Sequence, residues 1–137
     1  MNSIEVLGYK VLTDRKYTKT DEWVKVEDKV VIVGVTDYAQ KKLKNVVSVE
    51  LPDVGREVSS GESIATVESI KTVANVYAPV SGRVIEVNEE LLERPELINE
   101  DPYGEGWIFK IEIKDPSELD RLLTPEQYIE SIKEREQ

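Results

Sequence analysis

The 137-residue chain contains no cysteine and no histidine. Without cysteine it can form neither a disulfide nor a thiolate nucleophile. Without histidine it also lacks Ser-His and Cys-His pairs and the common kinds of zinc site. Any redox or acyl chemistry must therefore come from a group that is bound or attached to the chain.

Positive charge and long apolar runs are scarce as well. Asp and Glu number 28 against 18 Lys and Arg, for a net charge of −10. We therefore expect no nucleic-acid partner, because such partners require a basic surface. No apolar run approaches the roughly 20 residues of a membrane span, and the start of the chain does not resemble a signal peptide. We expect no membrane association and a cytoplasmic location in a bacterium or archaeon, or a mitochondrial one for a processed eukaryotic form.

Short extended segments dominate the pattern. Alternating apolar residues predict a hairpin over residues 23–35 and strands over 46–51, 63–67, 73–77, 83–87 and 107–113. A short helix is predicted over residues 38–44, capped by Thr36 and Asp37. Another is predicted over residues 89–94, capped by Asn88 and followed by a polar loop over 96–106.

Two further helices are predicted at the C-terminal end, starting at Asp115-Pro116 and at Thr124-Pro125. Residues 1–16 are an opening segment without a clear pattern, and residues 133–137 are expected to fray. The length suits one domain over residues 1–137, with a core over about 17–113 and C-terminal helices over about 116–135. The fold class is mainly β: a flattened antiparallel sandwich or barrel with short helices and a C-terminal helical appendix.

Lys71 stands at the tip between the strands predicted over 63–67 and 73–77. A lysine in such a turn presents a flexible stem and an accessible amine on a rigid support. The rest of the chain has neither a Gly-rich phosphate loop nor a carboxylate pair that stands out among so many acids. Judged from its spacing alone, Lys71 is an ordinary exposed turn lysine.

Six ordered motifs resemble those of the H-protein family of the glycine cleavage system. They are YTKTDEWV (17–24), GVTDYAQ (34–40), VELPDVG (49–55), ESIK (68–71), YAPVSG (77–82) and PELINEDPYGEGW (95–107). The resemblance covers roughly residues 17–112. It implies a barrel-sandwich hybrid of the lipoyl-domain type, in which Lys71 carries lipoate through an amide bond.

The same resemblance implies a monomeric carrier that is not itself an enzyme. Such carriers accept an aminomethyl group from glycine decarboxylase (P protein) and pass it to the aminomethyltransferase (T protein). Dihydrolipoyl dehydrogenase (L protein) takes the electrons, and a lipoate-attachment enzyme loads the lysine. The loaded arm of these proteins folds into a cleft, to which the resemblance assigns Thr20, Glu22 and Asn75, with Thr20 and Glu22 facing the cationic amine.

Two departures from the family pattern leave the cargo open. Asp21 replaces the histidine that most family members carry before Glu-Trp, and Lys44-Asn45 replaces a common Gly-Asp pair. Asp21 would add negative charge near the cleft. One alternative is therefore an H-protein-like lipoyl carrier with another cargo, as in sulfur-compound oxidation with a heterodisulfide-reductase-like complex. Another is an unmodified β-scaffold that binds partners through its acidic face.

Overall fold

The computed structural model of the chain describes residues 2–137 and is mainly β, as predicted. Met1, part of the opening segment 1–16, lies outside the described residues. The strands, labelled β1 to β11 in chain order, are Ser3–Val6, Tyr9–Leu12, Lys16–Tyr17, Glu22–Glu27, Val30–Val35, Val46–Glu50, Glu57–Val58, Ser63–Ser69, Val73–Tyr77, Gly82–Val87 and Phe109–Ile113. The helices α1 to α4 are Asp37–Leu43, Glu90–Glu93, Leu97–Glu100 and Pro125–Arg135, and a 3-10 helix covers Pro116–Arg121.

The strands form antiparallel sheets of six, three and two strands. The six-stranded sheet has the order β3-β4-β5-β11-β10-β7, the three-stranded sheet the order β6-β8-β9, and β1 pairs with β2. The large apolar core takes residues from both larger sheets. On β5, for example, Val31, Val33 and Val35 are buried, while Val67 and Val76 are buried on β8 and β9. This alternation is what a strand with one face toward the core requires.

A second apolar cluster joins the two ends of the chain. Tyr17 and Tyr128 stack with ring centroids 4.5 Å apart, and both side chains are fully buried. Trp23 belongs to the same cluster and packs over Gly34, its partner across the β4–β5 pair. A Cβ atom at Gly34 would lie 2.7 Å from the indole ring, so only glycine leaves room for this tryptophan. The C-terminal helix α4 therefore packs beside the loop that precedes Trp23.

Most predicted elements are present. The hairpin over residues 23–35 is confirmed as β4 and β5, and the strands on either side of Lys71 are confirmed as β8 and β9. The Thr36 side chain caps α1 by accepting a hydrogen bond from the Ala39 amide. Thr124 caps α4 in a capping box with Gln127. The opening segment, which shows no clear pattern in the sequence, forms the β1–β2 hairpin, which packs on α1 and α4.

Three local predictions were wrong. Asn88 does not cap α2; its side-chain amide donates instead to the carbonyl oxygens of Glu105 and Trp107, each at 2.8 Å. The predicted loop 96–106 contains the short helix α3. The helix predicted to start at Asp115-Pro116 is present, as a 3-10 helix with Asp115 as its N-cap. Residues 133–137 do not simply fray, because α4 continues to Arg135 and the Glu136 carboxylate accepts hydrogen bonds from Tyr38 and pairs with Lys42.

Candidate functional site

Lys71 lies in a tight turn that connects β8 to β9. The buried Ser69 organises this turn: its hydroxyl oxygen accepts hydrogen bonds from the amides of Lys71 and Thr72, each at 3.2 Å. The Ser69 amide donates to the Thr72 carbonyl at 2.8 Å, and the Ile70 amide donates to the Asn45 carbonyl of the neighbouring chain segment. The turn is therefore held from both sides, while the Lys71 side chain is exposed.

Exposed apolar side chains surround this lysine. Ile70 is 73% exposed and Val73 is 58% exposed. Val47 is exposed in a bulge of β6, opposite the end of β8. Glu68 pairs with Val73 across the strands and adds an acid to the same face. A partner that approaches the Lys71 amine therefore meets an apolar surface with a carboxylate beside it.

A cleft of about 420 Å³ lies at the other end of β9. The loop before Trp23 forms one wall, the turn after Tyr77 a second, and the segment before α4 a third. The lining residues are Tyr17, Thr18, Lys19, Thr20, Glu22, Ser60, Gly61, Tyr77, Ala78, Pro79, Arg121 and Leu123. Its lining is partly apolar, with Glu22 as the one carboxylate among the described residues that border it.

The Glu22 carboxyl group is almost fully buried, with 1% of the residue exposed. Its Oε1 accepts hydrogen bonds from the hydroxyls of Thr18 and, at 2.5 Å, Thr20. Its Oε2 accepts from the Tyr77 amide at 3.2 Å. Burial raises the pKa of Glu22 to about 7, against the opposing effect of these hydrogen bonds. Glu22 is thus a carboxyl group that can gain or lose its proton near neutral pH.

The predicted cleft residues do not all lie together. Thr20 and Glu22 both line the cleft, and they bond to each other. Asn75 is exposed on β9; it accepts a hydrogen bond from Ser63 at 3.1 Å and is not among the residues that line the cleft. Thr18 and Tyr77 were not singled out from the sequence. Both residues lie in the motifs quoted above. Thr18 is close to Glu22 in sequence and Tyr77 ends β9, and these positions were the sequence signal that could have pointed to them.

Asp21 is turned toward the C-terminal helix. Its carboxylate pairs with Arg135, with Oδ1–Nη2 and Oδ2–Nη1 distances of 2.8 and 3.0 Å, and it accepts a hydrogen bond from Tyr128. Asp21 does not line the cleft. Asp21 nevertheless adds negative charge near the cleft, as expected: although it pairs with Arg135, its charge helps to raise the pKa of Glu22, after the larger effect of burial.

The distance between the turn and the cleft has a chemical consequence. β9 runs from Val73 to Tyr77, about 13 Å at roughly 3.3 Å per residue. A lysine side chain of five bonds spans only about 6 Å. The bare amine of Lys71 therefore does not reach Glu22, whereas a lysine that carries a long acyl chain can.

Other kinds of site find no support here. Within residues 2–137, acidic side chains nowhere gather in threes in a way that could hold a metal ion. The helices of this same part of the chain are all too short or too polar to cross a membrane.

Comparison with known proteins gives a consistent result. The sequence model of the family described as glycine cleavage H-protein matches residues 15–135. A probable glycine cleavage system H protein of Aeropyrum pernix is 58% identical over 136 residues, which is 98% of this chain and 95% of the relative. A glycine cleavage system H protein of Thermotoga maritima is 59% identical over 116 residues, 85% of this chain and 94% of the relative.

A solved structure is similar as well. The crystal structure of a glycine cleavage system H protein from Mycobacterium marinum superposes with a TM-score of 0.84 at 38% identity. The match covers 90% of this chain and 99% of the other. The expected fold, a barrel-sandwich hybrid of the lipoyl-domain type, is thereby confirmed.

Proposed function

The chain belongs to the glycine cleavage H-protein family, and on this premise we propose that it is the lipoyl carrier of a glycine cleavage system, with lipoate in amide linkage to Lys71. One observation carries the proposal: an exposed lysine on a fixed turn and a cleft lie at opposite ends of β9, separated by about the length of a lysine that carries a long acyl chain. Bacterial and archaeal relatives support a cytoplasmic location.

The residues present suit a lipoyl group. No salt bridge within residues 2–137 occupies the Lys71 ammonium. About a dozen bonds separate the lysine Cα from the first sulfur of an attached lipoyl chain, or about 15 Å when extended. That length matches the run of β9. When bound, lipoate supplies a dithiolane that can take up a one-carbon amine and a pair of electrons, chemistry that a chain without cysteine lacks.

The chain's own residues then have separate tasks. The Ser69 turn holds Lys71 outward for the lipoate-attachment enzyme and for the P, T and L proteins. The cleft walls, including Ala78, Pro79 and Leu123, keep water from the cargo. Glu22, held by Thr18 and Thr20, offers an anionic oxygen to the cationic amine of an aminomethyl cargo. The protein positions and protects its cargo, while the partner enzymes make and break bonds.

The charge of the cleft also bears on the alternative cargo. The buried carboxyl group of Glu22 favours a cation, which is the form of an aminomethyl cargo at neutral pH. Lys19 and Arg121 line the same cleft, but both are solvent-exposed. These two cations are the feature that would favour an anionic sulfur cargo. A buried charge such as that of Glu22 acts more strongly than the exposed charges of Lys19 and Arg121. We therefore favour an aminomethyl cargo.

Attachment is tested first, by intact-mass measurement after incubation with lipoate, ATP and a lipoate-attachment enzyme. We expect one lipoyl group, mapped by peptide analysis to Lys71, and none on Lys71→Arg. Arg keeps the positive charge but does not form the amide. An unmodified wild-type protein in this assay would contradict both carrier hypotheses, with aminomethyl or with sulfur cargo. It would favour the hypothesis of an unmodified β-scaffold.

The cargo is tested second. The lipoylated protein is added to glycine decarboxylase, and exchange of the glycine carboxyl carbon with bicarbonate is followed. Exchange that saturates with added carrier supports the glycine cleavage function. Complete modification at Lys71 without any exchange would favour the sulfur-cargo alternative.

A further inference from the structure

The loop that carries the cleft residues is bonded to the last turn of the C-terminal helix. Arg135 makes a two-point salt bridge with Asp21, at 2.8 and 3.0 Å. The Tyr128 hydroxyl donates to the same carboxylate at 2.9 Å, and it lies 2.6 Å from the Thr36 hydroxyl at the start of α1. Because the carboxylate can only accept, the Thr36 hydroxyl must be the donor to Tyr128. The bonds thus run in one direction, from α1 through α4 to the loop.

The backbone of this loop depends on Asp21. Asp21 has a φ of 71°, in the left-handed region that few residues other than glycine adopt. Its amide donates to the Thr18 carbonyl and its carbonyl accepts from the Thr36 amide, so that Asp21 closes a turn over residues 18–21. The next residue is Glu22, whose carboxylate is held by the hydroxyls of Thr18 and Thr20. Asp21 therefore belongs to the same short loop as the cleft carboxylate and both of its donors.

The segment before α4 also takes part in the cleft. Leu123 lines the cleft, and its backbone pairs with that of Tyr17, with N–O distances of 2.7 and 2.9 Å. Arg121 lines the cleft as well. The C-terminal segment thus forms one wall of the cleft and, through Tyr128 and Arg135, is bonded to the loop that forms another.

We propose that Asp21, Tyr128 and Arg135 form a clamp through which helix α4 sets the geometry of the 18–22 loop and thereby the retention of the cargo in the cleft. Asp21 and Arg135 are positioning residues, since they act on the cargo only through Glu22 and its two threonines. The statement about cargo rests on the proposed function; the statement about the loop does not.

The clamp also explains why an acidic residue at position 21 is compatible with the neighbouring cleft. Because Arg135 pairs with both carboxylate oxygens, the charge of Asp21 is partly compensated. The cleft then presents one carboxyl group, that of Glu22, to an incoming cation. Without Arg135 the Asp21 carboxylate would keep only the hydrogen bond from Tyr128, and the loop would lose two of the three side-chain bonds that hold its left-handed residue.

The test compares Arg135→Met and Asp21→Asn with the wild type and with Lys133→Met. Lys133 is a matched control: it lies on the same helix, but its ion pair is the exposed one with Glu130. Asp21→Asn keeps an acceptor for Tyr128 and removes the charge. Arg135→Lys keeps the charge but makes one bond in place of two, so it should give an intermediate result.

The first readout needs no lipoate: hydrogen exchange of the backbone amides, followed by mass spectrometry. We expect exchange of residues 18–22 to rise about tenfold in Arg135→Met and Asp21→Asn, and to stay unchanged in Lys133→Met. The Lys71 turn should exchange as in the wild type, and lipoylation should proceed at the wild-type rate.

The second readout is loss of cargo from the loaded protein. Hydrolysis of an aminomethyl cargo would consume one water and release formaldehyde and ammonia, and the sulfur would keep the electron pair of the broken carbon–sulfur bond and take up a proton. We expect formaldehyde release to be at least about fivefold faster in both clamp variants than in Lys133→Met.

Faster exchange confined to α4, with residues 18–22 and cargo release unchanged, would overturn the proposal and leave the salt bridge as an anchor for the helix. Unchanged exchange everywhere in both variants would overturn it too. A wild-type protein that is never lipoylated would contradict the proposed function, while the exchange readout would still decide whether the clamp fixes the loop.

Discussion

Substitution of Glu22 by glutamine should remove a specific dependence of stability on pH. The chain has no histidine, so apart from the α-amino group few groups titrate between pH 5 and 8. Glu22 is the exception, since burial raises its pKa to about 7. In the unfolded chain the same carboxyl group titrates near its ordinary value of 4.5.

The sign and size of the effect follow from these two values. Below pH 4.5 the carboxyl group is protonated in both the folded and the unfolded chain, so its burial does not lower the free energy of unfolding through ionisation. Between pH 4.5 and 7 the unfolded chain loses the proton first, so stability falls as the pH rises. Above pH 7 the loss is complete and amounts to about 3 kcal/mol, at about 1.4 kcal/mol for each pKa unit. The neutral amide of Glu22→Gln has no such cost, and with its oxygen toward the Tyr77 amide its NH2 group can donate to a threonine hydroxyl.

Urea denaturation of both proteins from pH 4 to 8.5 measures this difference. The stability of Glu22→Gln relative to the wild type should rise with pH by about 3 kcal/mol, with a midpoint between pH 5 and 7. This corresponds to a change in the relative urea midpoint of about 1 M or more. Glu126→Gln, an exposed change on α4, should show a constant difference. A constant difference for Glu22→Gln as well would refute the reasoning, and so would a carboxyl carbon resonance that titrates near pH 4.5.

Three further outcomes are expected. Lys71→Arg should keep the wild-type melting temperature and circular dichroism spectrum while losing all lipoylation and carrier activity, and a cooperative loss of structure would show that the turn needs lysine itself. Gly82→Ala should destabilise the fold by at least about 1–3 kcal/mol in thermal denaturation, since a Cβ there would lie 2.0 Å from the Glu112 carbonyl oxygen; an unchanged melting temperature would contradict this. Ile70→Asp should slow enzymatic lipoylation about tenfold, because it replaces an apolar contact beside the reacting amine. The control Leu7→Asp, on the exposed tip of the β1–β2 hairpin, should leave the lipoylation rate unchanged. Equal rates for the two variants would exclude Ile70 from the surface that the attachment enzyme recognises.

The regular parts of the fold could be read from the sequence. The alternation in β4, β5, β8 and β9 is strong, so the strands were predicted within one or two residues and Lys71 was placed in the turn. Helix α3 was missed because four residues are too few to show a 3.6-residue period, and the surrounding acids, Pro102 and Gly104 favour a loop. Asn88 has the character of a helix cap, but the carbonyls of the Glu105–Trp107 segment compete for its amide.

The site was predictable in part. Family motifs singled out Lys71, Thr20 and Glu22 as candidate site residues, but their contacts depend on the fold. Only the register of the strands shows that Thr20 bonds to Glu22. The same register shows that Asn75 lies outside the lining of the cleft. The pairing of Asp21 with Arg135 could not be inferred, since nothing local distinguishes one acid and one base among so many charged residues.

The salt bridge between Asp21 and Arg135 closes a loop of more than one hundred residues, and the Tyr17–Leu123 backbone pair closes one nearly as long. Closing such loops has an entropic cost that short hairpins do not have. The β8–β9 hairpin, by contrast, needs only neighbours in sequence. We therefore expect the two halves of the carrier to form at different times during synthesis: the lysine turn forms early, and the cleft forms only after α4 has been synthesised. A chain caught between these stages could be lipoylated and yet be unable to shelter what it carries.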